Sequence, residues 1–145
     1  MGRQRPPGTA LSKPFWDAAS RGELLCCACD RCGGRFFNPE PICPRCGSTS
    51  WQWVPSRGDG TVYSFTVVHQ SPDPDLPAPY VLAIVDLDDG WTMLTNLISP
   101  PERVVIGARV RVDFTPVAGP GSALIPTFAL SDGGPLARKR YDPVG

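Results

Sequence analysis

Apolar side chains recur at every second position through much of the second half of the chain. Residues 61–70 place Tyr63, Phe65 and Val67 on one face of a predicted strand, with Val62 and Val68 on the other. Residues 80–87 form an apolar run that predicts a second strand, and residues 91–98 are expected to form the strand that returns from it. Alternation predicts a strand at residues 109–115, and a fifth strand is predicted at residues 123–130. Five short antiparallel strands favour a small barrel over a sandwich, which usually has about seven.

The segments between these strands carry turn residues. Asp88-Asp89-Gly90 is a hairpin signal, and the prolines of residues 71–79 indicate a stiff connection. Pro126 has no N–H to donate to a ladder, so it predicts that the last strand lies at a sheet edge.

A short helix is predicted near the beginning of the chain, because Phe15, Ala18 and Ala19 share one helical face. Ser12 is its candidate cap, and Gly22 is expected to end it. The polar, Pro/Gly-bearing ends of the chain are expected to be flexible. The predicted organisation is a lead at 1–13, a docking helix at 14–25, a cysteine module at 26–56, a β-domain at 57–130 and a tail at 131–145.

Composition restricts the class of protein. The 145 residues include 15 Gly and 18 Pro, which implies many turns and little long helix. Basic and acidic residues both number 14, which speaks against a strongly basic nucleic-acid protein. No apolar run approaches the roughly 20 residues of a membrane span, and residues 1–10 lack the features of a secretory signal.

The cysteines indicate a metal site. All six lie between Cys26 and Cys46, and the motif Cys-x2-Cys-Gly occurs twice, at residues 29–33 and 43–47, with ten residues between the cysteine pairs. Four thiolates suit tetrahedral Zn²⁺ and leave no open coordination position, so we expect structural zinc. The predicted ligands are Cys29, Cys32, Cys43 and Cys46.

Alternatives to this assignment are disulfides, an iron–sulfur cluster, or a different frame that uses Cys26 with Cys29. Disulfides would need an oxidising compartment, which nothing in the sequence supports. We therefore expect a cytoplasmic protein in which Cys26 and Cys27 are buried as small apolar groups or remain free thiols. About 28 residues are too few to fold by apolar burial alone, so the metal is expected to supply folding energy to this module.

No set of catalytic side chains is evident, so we expect no independent catalysis. His69 is the only histidine, and adjacent Asp88 and Asp89 before Gly90 fit a turn better than a carboxylate pair. The predicted β-domain carries four arginines against eight acidic residues, which disfavours binding of single-stranded nucleic acid. Nucleic-acid binding is kept as the alternative function.

An ordered series of short motifs runs through residues 14–130. It comprises Phe15-Trp16, Gly22-Glu23-Leu24, the two cysteine motifs, Asn38-Pro39, Trp51 or Trp53, the run from Gly58 to His69, Pro79-Tyr80-Val81, Leu87-Asp88-Asp89-Gly90 and Ile106-Gly107 with Val110. This series resembles a family of small zinc-ribbon plus OB-fold proteins, first catalogued as a domain of unknown function. Members of that family accompany thiolases and other acyl-CoA enzymes.

The resemblance implies a mostly β protein with a short N-terminal helix, a rubredoxin-like zinc ribbon and a five-stranded OB-fold barrel. It also implies a non-catalytic accessory subunit that docks on a thiolase-like enzyme, namely a thiolase, a sterol-carrier-type aldolase or an acetyltransferase. Such a subunit stabilises its partner through the helix and ribbon, and its barrel helps to form the acyl-CoA entrance. An accessory subunit of an acyl-CoA hydratase is the alternative partner assignment.

Two further groups of side chains are candidates for this role. Four aromatic residues are candidate docking anchors, and the alternative is that they pack over the zinc module and the barrel end. They are Phe15, Trp16, Phe36 and Phe37. Three arginines are candidate contacts for the phosphates of CoA, and the alternative is ordinary surface charge. They are Arg35, Arg45 and Arg57.

Overall fold

The computed structural model describes residues 2–119, 121 and 123–131. Its elements are α1 (Lys13–Ala19), β1 (Leu25–Cys29), β2 (Arg35–Phe36), β3 (Trp51–Pro55), β4 (Asp59–Val68), β5 (Tyr80–Leu87), β6 (Trp91–Leu97), a 3₁₀ turn (Pro101–Arg103), β7 (Arg109–Pro116) and β8 (Leu124–Leu130). Strands β2, β1 and β3 form a small sheet in that order. Strands β4 to β8 form a closed barrel in the order β4-β5-β6-β8-β7. The predicted mostly β fold, with its five-stranded barrel, is confirmed.

The barrel interior follows from period-two burial in its strands. In β5 every second residue is buried, and β6 buries its first residue and then alternates. Opposed pairs such as Val85 with Met93 and Leu87 with Trp91 therefore fill the interior from neighbouring strands. Phe128 of β8 completes this core and has no exposed surface.

A β-bulge changes the facing of side chains in β4. The register with β5 shifts between Val62 and Ser64, and Tyr63 is left 61% exposed. Beyond the bulge, Phe65 and Val67 pack against the same core as Val62. The prediction that Tyr63 shares a face with Phe65 and Val67 is wrong, because the extra residue shifts the alternation by one position.

Strand β8 is not an edge strand, contrary to the prediction from Pro126. It pairs along its length with β7, where Pro126 lies opposite Phe114, and it closes the barrel against β6 through the parallel pair Leu97 and Phe128. Pro126 is tolerated because it precedes that pair, in a part of β8 where no β6 ladder requires its missing N–H.

The helix is shorter than predicted. It ends at Ala19, and residues 20–22 form a turn in which Gly22 has a φ of 75°. The segment assigned to the docking helix ran to residue 25, with Gly22 as the expected end of the helix, but the helix ends three residues before Gly22 and Leu25 already begins β1. Phe15, Ala18 and Ala19 are buried on one helical face, as their spacing predicted.

The segment that precedes the helix makes specific contacts. Gln4 forms a β-bridge with Ala118, and the N–H of Ala118 donates to the carbonyl of Arg3 at 2.7 Å. The guanidinium of Arg5 lies 5.7 Å from the ring centre of Trp16. The sequence predicted only a flexible lead here and gave no sign of these contacts. The predicted tail lies outside the described residues from residue 132 onward.

The ribbon and the barrel share one hydrophobic core. Phe15, Leu24 and Cys26 belong to the same buried cluster as the barrel interior. Phe37 connects the two parts, because its ring centre lies 4.7 Å from that of Phe15 and 5.9 Å from that of Trp91. The zinc ribbon is therefore packed onto the barrel rather than tethered to it. No helix in the described part of the chain is long and apolar enough to span a membrane.

We predict that Phe128→Ala lowers the free energy of unfolding by about 3–5 kcal/mol, because it leaves a cavity in the barrel core. Leu94→Ala is the control, since Leu94 is 65% exposed, and its cost should stay within about 0.5 kcal/mol. Urea unfolding of both variants checks this. Similar costs for the two variants would contradict the assignment of the core.

Asp88 makes stability depend on pH. Arg109 donates to its carboxylate, which lowers the pKa of Asp88 below the usual value. The resulting stabilisation is complete above the ordinary carboxyl pKa of about 3.9 and is lost as the pH falls through the lower folded-state pKa. Asp88→Asn should therefore be less stable than wild type at pH 6, and the difference should shrink at pH 3. Urea unfolding at the two pH values measures it, and a difference that grows on acidification would contradict the mechanism.

Candidate metal centre and docking surface

Four cysteine sulfurs converge between the two turns of the ribbon. The Sγ atoms of Cys29, Cys32, Cys43 and Cys46 all lie within 4.8 Å of one another. The Sγ of Cys29 is 3.6 Å from that of Cys46, and the Sγ of Cys32 is 3.7 Å from that of Cys43. The structure thus brings together all four ligands predicted from the sequence.

The two cysteine turns have the same backbone geometry. In the first, the N–H of Gly33 donates to the carbonyl of Cys29 at 3.0 Å, and in the second the N–H of Gly47 donates to Cys43 at 2.9 Å. Both glycines have positive φ, 69° and 74°, which a residue with a Cβ rarely adopts. The repeated Cys-x2-Cys-Gly motif therefore encodes two equivalent turns that present pairs of thiols to one point.

Backbone N–H groups in the turns favour the ionised thiols. The N–H of Cys32 is the main cause that lowers the pKa of Cys29 to about 6. For Cys43, burial raises the pKa, but the N–H groups of Cys46 and Arg45 outweigh it and the net shift is downward.

Mutual repulsion opposes ionisation of all four thiols. The N–H of Ser48 lowers the pKa of Cys46, yet burial and the three neighbouring cysteines raise it to about 11. Four thiolates this close together need a cation to balance their charge.

The donor set fits zinc. Tetrahedral coordination with Zn–S near 2.3 Å places any two sulfurs about 3.8 Å apart. The Sγ atoms of Cys29 and Cys46 are 3.6 Å apart and those of Cys32 and Cys43 are 3.7 Å apart, close to this value. Zinc bound by Cys29, Cys32, Cys43 and Cys46 would have no open position, so its chemistry is structural: it joins the two turns and supplies folding energy to the ribbon.

Cys26 and Cys27 lie outside the metal site. Both are fully buried, Cys26 in the core shared with the barrel and Cys27 among the ribbon aromatics. Burial raises the pKa of Cys27 to about 12 and also raises that of Cys26. They are therefore small apolar core groups, and the alternative frame that pairs Cys26 with Cys29 is wrong.

The four candidate docking aromatics divide into two groups. Phe15 and Phe36 are 2% and 7% exposed, so they are core residues and present no surface to a partner. Trp16 and Phe37 are half-buried and line an apolar groove of about 460 Å³. Met93, Leu94 and Ile125 of the barrel also line this groove. Leu94 is an outward-facing strand residue that the motif analysis missed, although alternation in β6 could have identified it.

The three candidate arginines do not form one cluster. Arg35 and Arg45 line a cleft of about 520 Å³ between ribbon and barrel, together with Phe37, Asp86 and Thr92. Arg35 is already paired with Asp89, at 3.3 Å from Nη1 to Oδ2. Arg57 is exposed and does not line this cleft. The structure therefore leaves Arg45 as the cation best placed to meet an anion there.

A four-cysteine ribbon packed on a closed five-stranded barrel defines the zinc-ribbon plus OB-fold class. Residues 16–52 match a family model described as "ChsH2, rubredoxin-like zinc ribbon domain", and residues 53–115 match one described as "ChsH2, C-terminal OB-fold domain". A "DUF35 domain-containing scaffold protein" of Methanocaldococcus jannaschii is 33% identical over 108 residues, which are 72% of this chain and 77% of that protein. The chain belongs to the DUF35 family.

Two further similarities bear on function. A "Probable enoyl-CoA hydratase alpha subunit" of Thermomonospora curvata is 37% identical over 110 residues, which are 74% of this chain and 34% of that protein. The chain thus spans about a third of the length of that relative. A solved structure described as "Ltp2-ChsH2(DUF35) aldolase" contains a chain that matches at a TM-score of 0.76 and 35% identity, over 87% of this chain and 98% of that one.

We predict that Cys43→Ser loses zinc and unfolds the ribbon, because structural zinc contributes on the order of 10 kcal/mol to folding. Elemental analysis and amide exchange in β1–β3 measure the two effects. Cys26→Ala is the matched control, since it alters a buried thiol outside the site, and it should keep an equimolar zinc content. Retention of zinc by Cys43→Ser, or its loss from Cys26→Ala, would contradict the ligand assignment.

Proposed function

We propose that this protein is a non-catalytic accessory subunit that docks on a thiolase-like acyl-CoA enzyme, stabilises it and helps to form its acyl-CoA entrance. The partner classes are thiolases, sterol-carrier-type aldolases and acetyltransferases. The observation that carries this proposal is the match to the chain of the "Ltp2-ChsH2(DUF35) aldolase", which extends over 98% of that chain. That description pairs a DUF35 protein with a second protein in an aldolase.

The docking site that we propose is the groove lined by Trp16, Phe37 and Leu94. It lies where the helix, the ribbon and the barrel meet, so a partner seated there contacts all three. Leu94 is 65% exposed although it is a large apolar side chain, and exposed apolar groups beside half-buried aromatics are typical of interfaces. A partner segment with an apolar face would cover this surface.

Acyl-CoA is proposed to pass along the cleft between ribbon and barrel. Arg45 is exposed there and can meet a phosphate, while Phe37 offers an apolar wall. Arg35 has its charge balanced by Asp89, so we assign it a lesser part in anion binding. Arg57 is left out of this site. The bond-making chemistry next to the thioester belongs to the partner.

A hydratase partner is the second candidate. It is favoured by the 37% identity with a hydratase alpha subunit, of which this chain covers only 34%. We propose a cytoplasmic location in either case, because the four-cysteine zinc site needs reduced ligands, and two of the predicted ligands, Cys32 and Cys46, are accessible to oxidation.

A tagged pull-down from the native host tests the proposal, with nuclease treatment and a moderate salt wash before mass spectrometry. A stoichiometric thiolase-like subunit is the expected result, and a stoichiometric hydratase would select the second candidate. Release of the bound material by the nuclease, with no acyl-CoA enzyme left on the protein, would overturn the proposal in favour of nucleic-acid binding.

We predict that Leu94→Glu weakens binding of the recovered partner at least tenfold, a loss of about 1.4 kcal/mol, because it puts a charge into the apolar groove. The matched control is Ile106→Glu, which adds the same charge at an exposed apolar residue outside the groove. Calorimetry with the purified partner measures both affinities. Equal effects of the two variants would argue against the groove as the docking site.

A further inference from the structure

The two aspartates of the β5–β6 turn have separate roles. Asp88 pairs with Arg109, which is also a barrel residue. Asp89 accepts from the indole N–H of Trp91 at 3.0 Å, from the backbone N–H of Arg57 at 3.2 Å and from the guanidinium of Arg35 at 3.3 Å. Its side chain is only 14% exposed. Asp89 thus joins the barrel, the linker after β3 and the zinc ribbon.

Arg35 connects this carboxylate to the metal site. It begins β2, three residues after the zinc ligand Cys32, and Gly33 and Gly34 between them belong to the metal-binding turn. Besides Asp89, its Nη1 lies 3.4 Å from the carbonyl oxygen of Pro55 and 3.5 Å from the Sγ of Cys26. One guanidinium nitrogen therefore contacts β1, β3 and the barrel turn.

These contacts make the position of Arg35 depend on the metal-binding turn. Strand β2 has only two residues and pairs with β1 alone, so its Phe36 end is held by packing against Trp51 and its Arg35 end by the metal-binding turn that precedes it. When zinc holds Cys32, Arg35 is placed to meet Asp89. Release of Cys32 by the metal would free the Arg35 end of β2 and weaken its contact with Asp89.

We propose that Asp89 is a positioning residue that couples zinc occupancy to the order of the β5–β6 turn, through Arg35. Zinc binding at the ribbon stabilises the barrel turn, and the turn in return favours the zinc-bound ribbon. Such coupling is reciprocal. The factor by which zinc favours the ordered β5–β6 turn must therefore equal the factor by which the ordered turn favours zinc binding. This role does not depend on any partner enzyme.

Asp89→Asn isolates the coupling. The amide has the size of the carboxylate but only one acceptor, whereas Asp89 uses both oxygens toward three donors. If the amide oxygen stays on Trp91, the amide nitrogen faces the donors of Arg35 and Arg57. Trp91 retains Ser56 as a second acceptor at 3.1 Å, so the variant should keep its barrel core.

The experiment measures zinc affinity of the full chain by competition with a chromophoric chelator. We expect Asp89→Asn to weaken zinc binding about fivefold or more, within the usual range of coupling between sites. Amide exchange at Gly90 and Trp91 is measured with and without zinc in the same proteins. Zinc should slow the exchange of these two amides less in Asp89→Asn than in the wild type. The ratio between the two effects should equal the factor by which the variant loses zinc affinity.

Asp88→Asn is the matched control, because it removes an ion pair from the same turn without touching the ribbon. It should keep the wild-type zinc affinity within about twofold. Unchanged zinc affinity in Asp89→Asn would overturn the proposal. An equal loss of zinc affinity in Asp88→Asn would also overturn it, because the loss would then come from general destabilisation of the turn.

Arg35→Lys tests the coupling from the ribbon side and serves if Asp89→Asn does not fold. Lysine keeps the charge and most of the aliphatic stem, but its side chain is one bond shorter, so its ammonium does not reach the position of the Nη1 atom that contacts Pro55 and Asp89 together. It should weaken zinc binding to a similar extent as Asp89→Asn, with no further loss in the double variant. Wild-type affinity in Arg35→Lys would equally overturn the proposal, as would additive losses.

Discussion

Electrostatic balance among four thiolates is the constraint on which the ribbon depends. Four sulfurs within 4.8 Å repel one another when ionised, and only a cation makes that arrangement stable. Once the metal is in place, the two turns fix the start of β2 and the approach to β3. The sites of Phe36, Phe37 and Trp53 follow from those strands, and so does the surface that the ribbon packs against the barrel.

Burial of aromatic side chains in the core limits the aromatic surface that is left exposed. Phe15 gains more by packing against Phe37 and Trp53 than it could at a surface, and that packing joins the helix, the ribbon and the barrel into one core. The cost is a smaller exposed aromatic area. The groove that we propose for docking is therefore lined by residues at the margin of this core, Trp16 and Phe37, and by Leu94 on the outer face of the barrel.

Local chemistry was sufficient to predict the metal ligands and the strands of the barrel, because both depend on residues near in sequence, whereas the ribbon strands β1–β3 were not predicted. The spacing of the cysteines determines the geometry of the two turns. Alternation of apolar residues at 80–97 determines which side chains of β5 and β6 face the barrel interior. Long-range features were not predictable in this way. The bulge at Tyr63, the closure of β8 on β6 and the burial of Phe36 depend on how segments meet, and so does the pairing of Arg35 with Asp89 across 54 residues.

The metal site has an inner and an outer side. Cys29 and Cys43, the first cysteine of each turn, are 3% and 1% exposed, whereas Cys32 is exposed and Cys46 is half-buried. Solvent and competing ligands therefore reach the second cysteine of each turn first. A competing ligand would therefore displace Cys32 or Cys46 from a bound zinc ion more easily than Cys29 or Cys43. The inner pair would then keep the two turns together while the outer thiolates exchange.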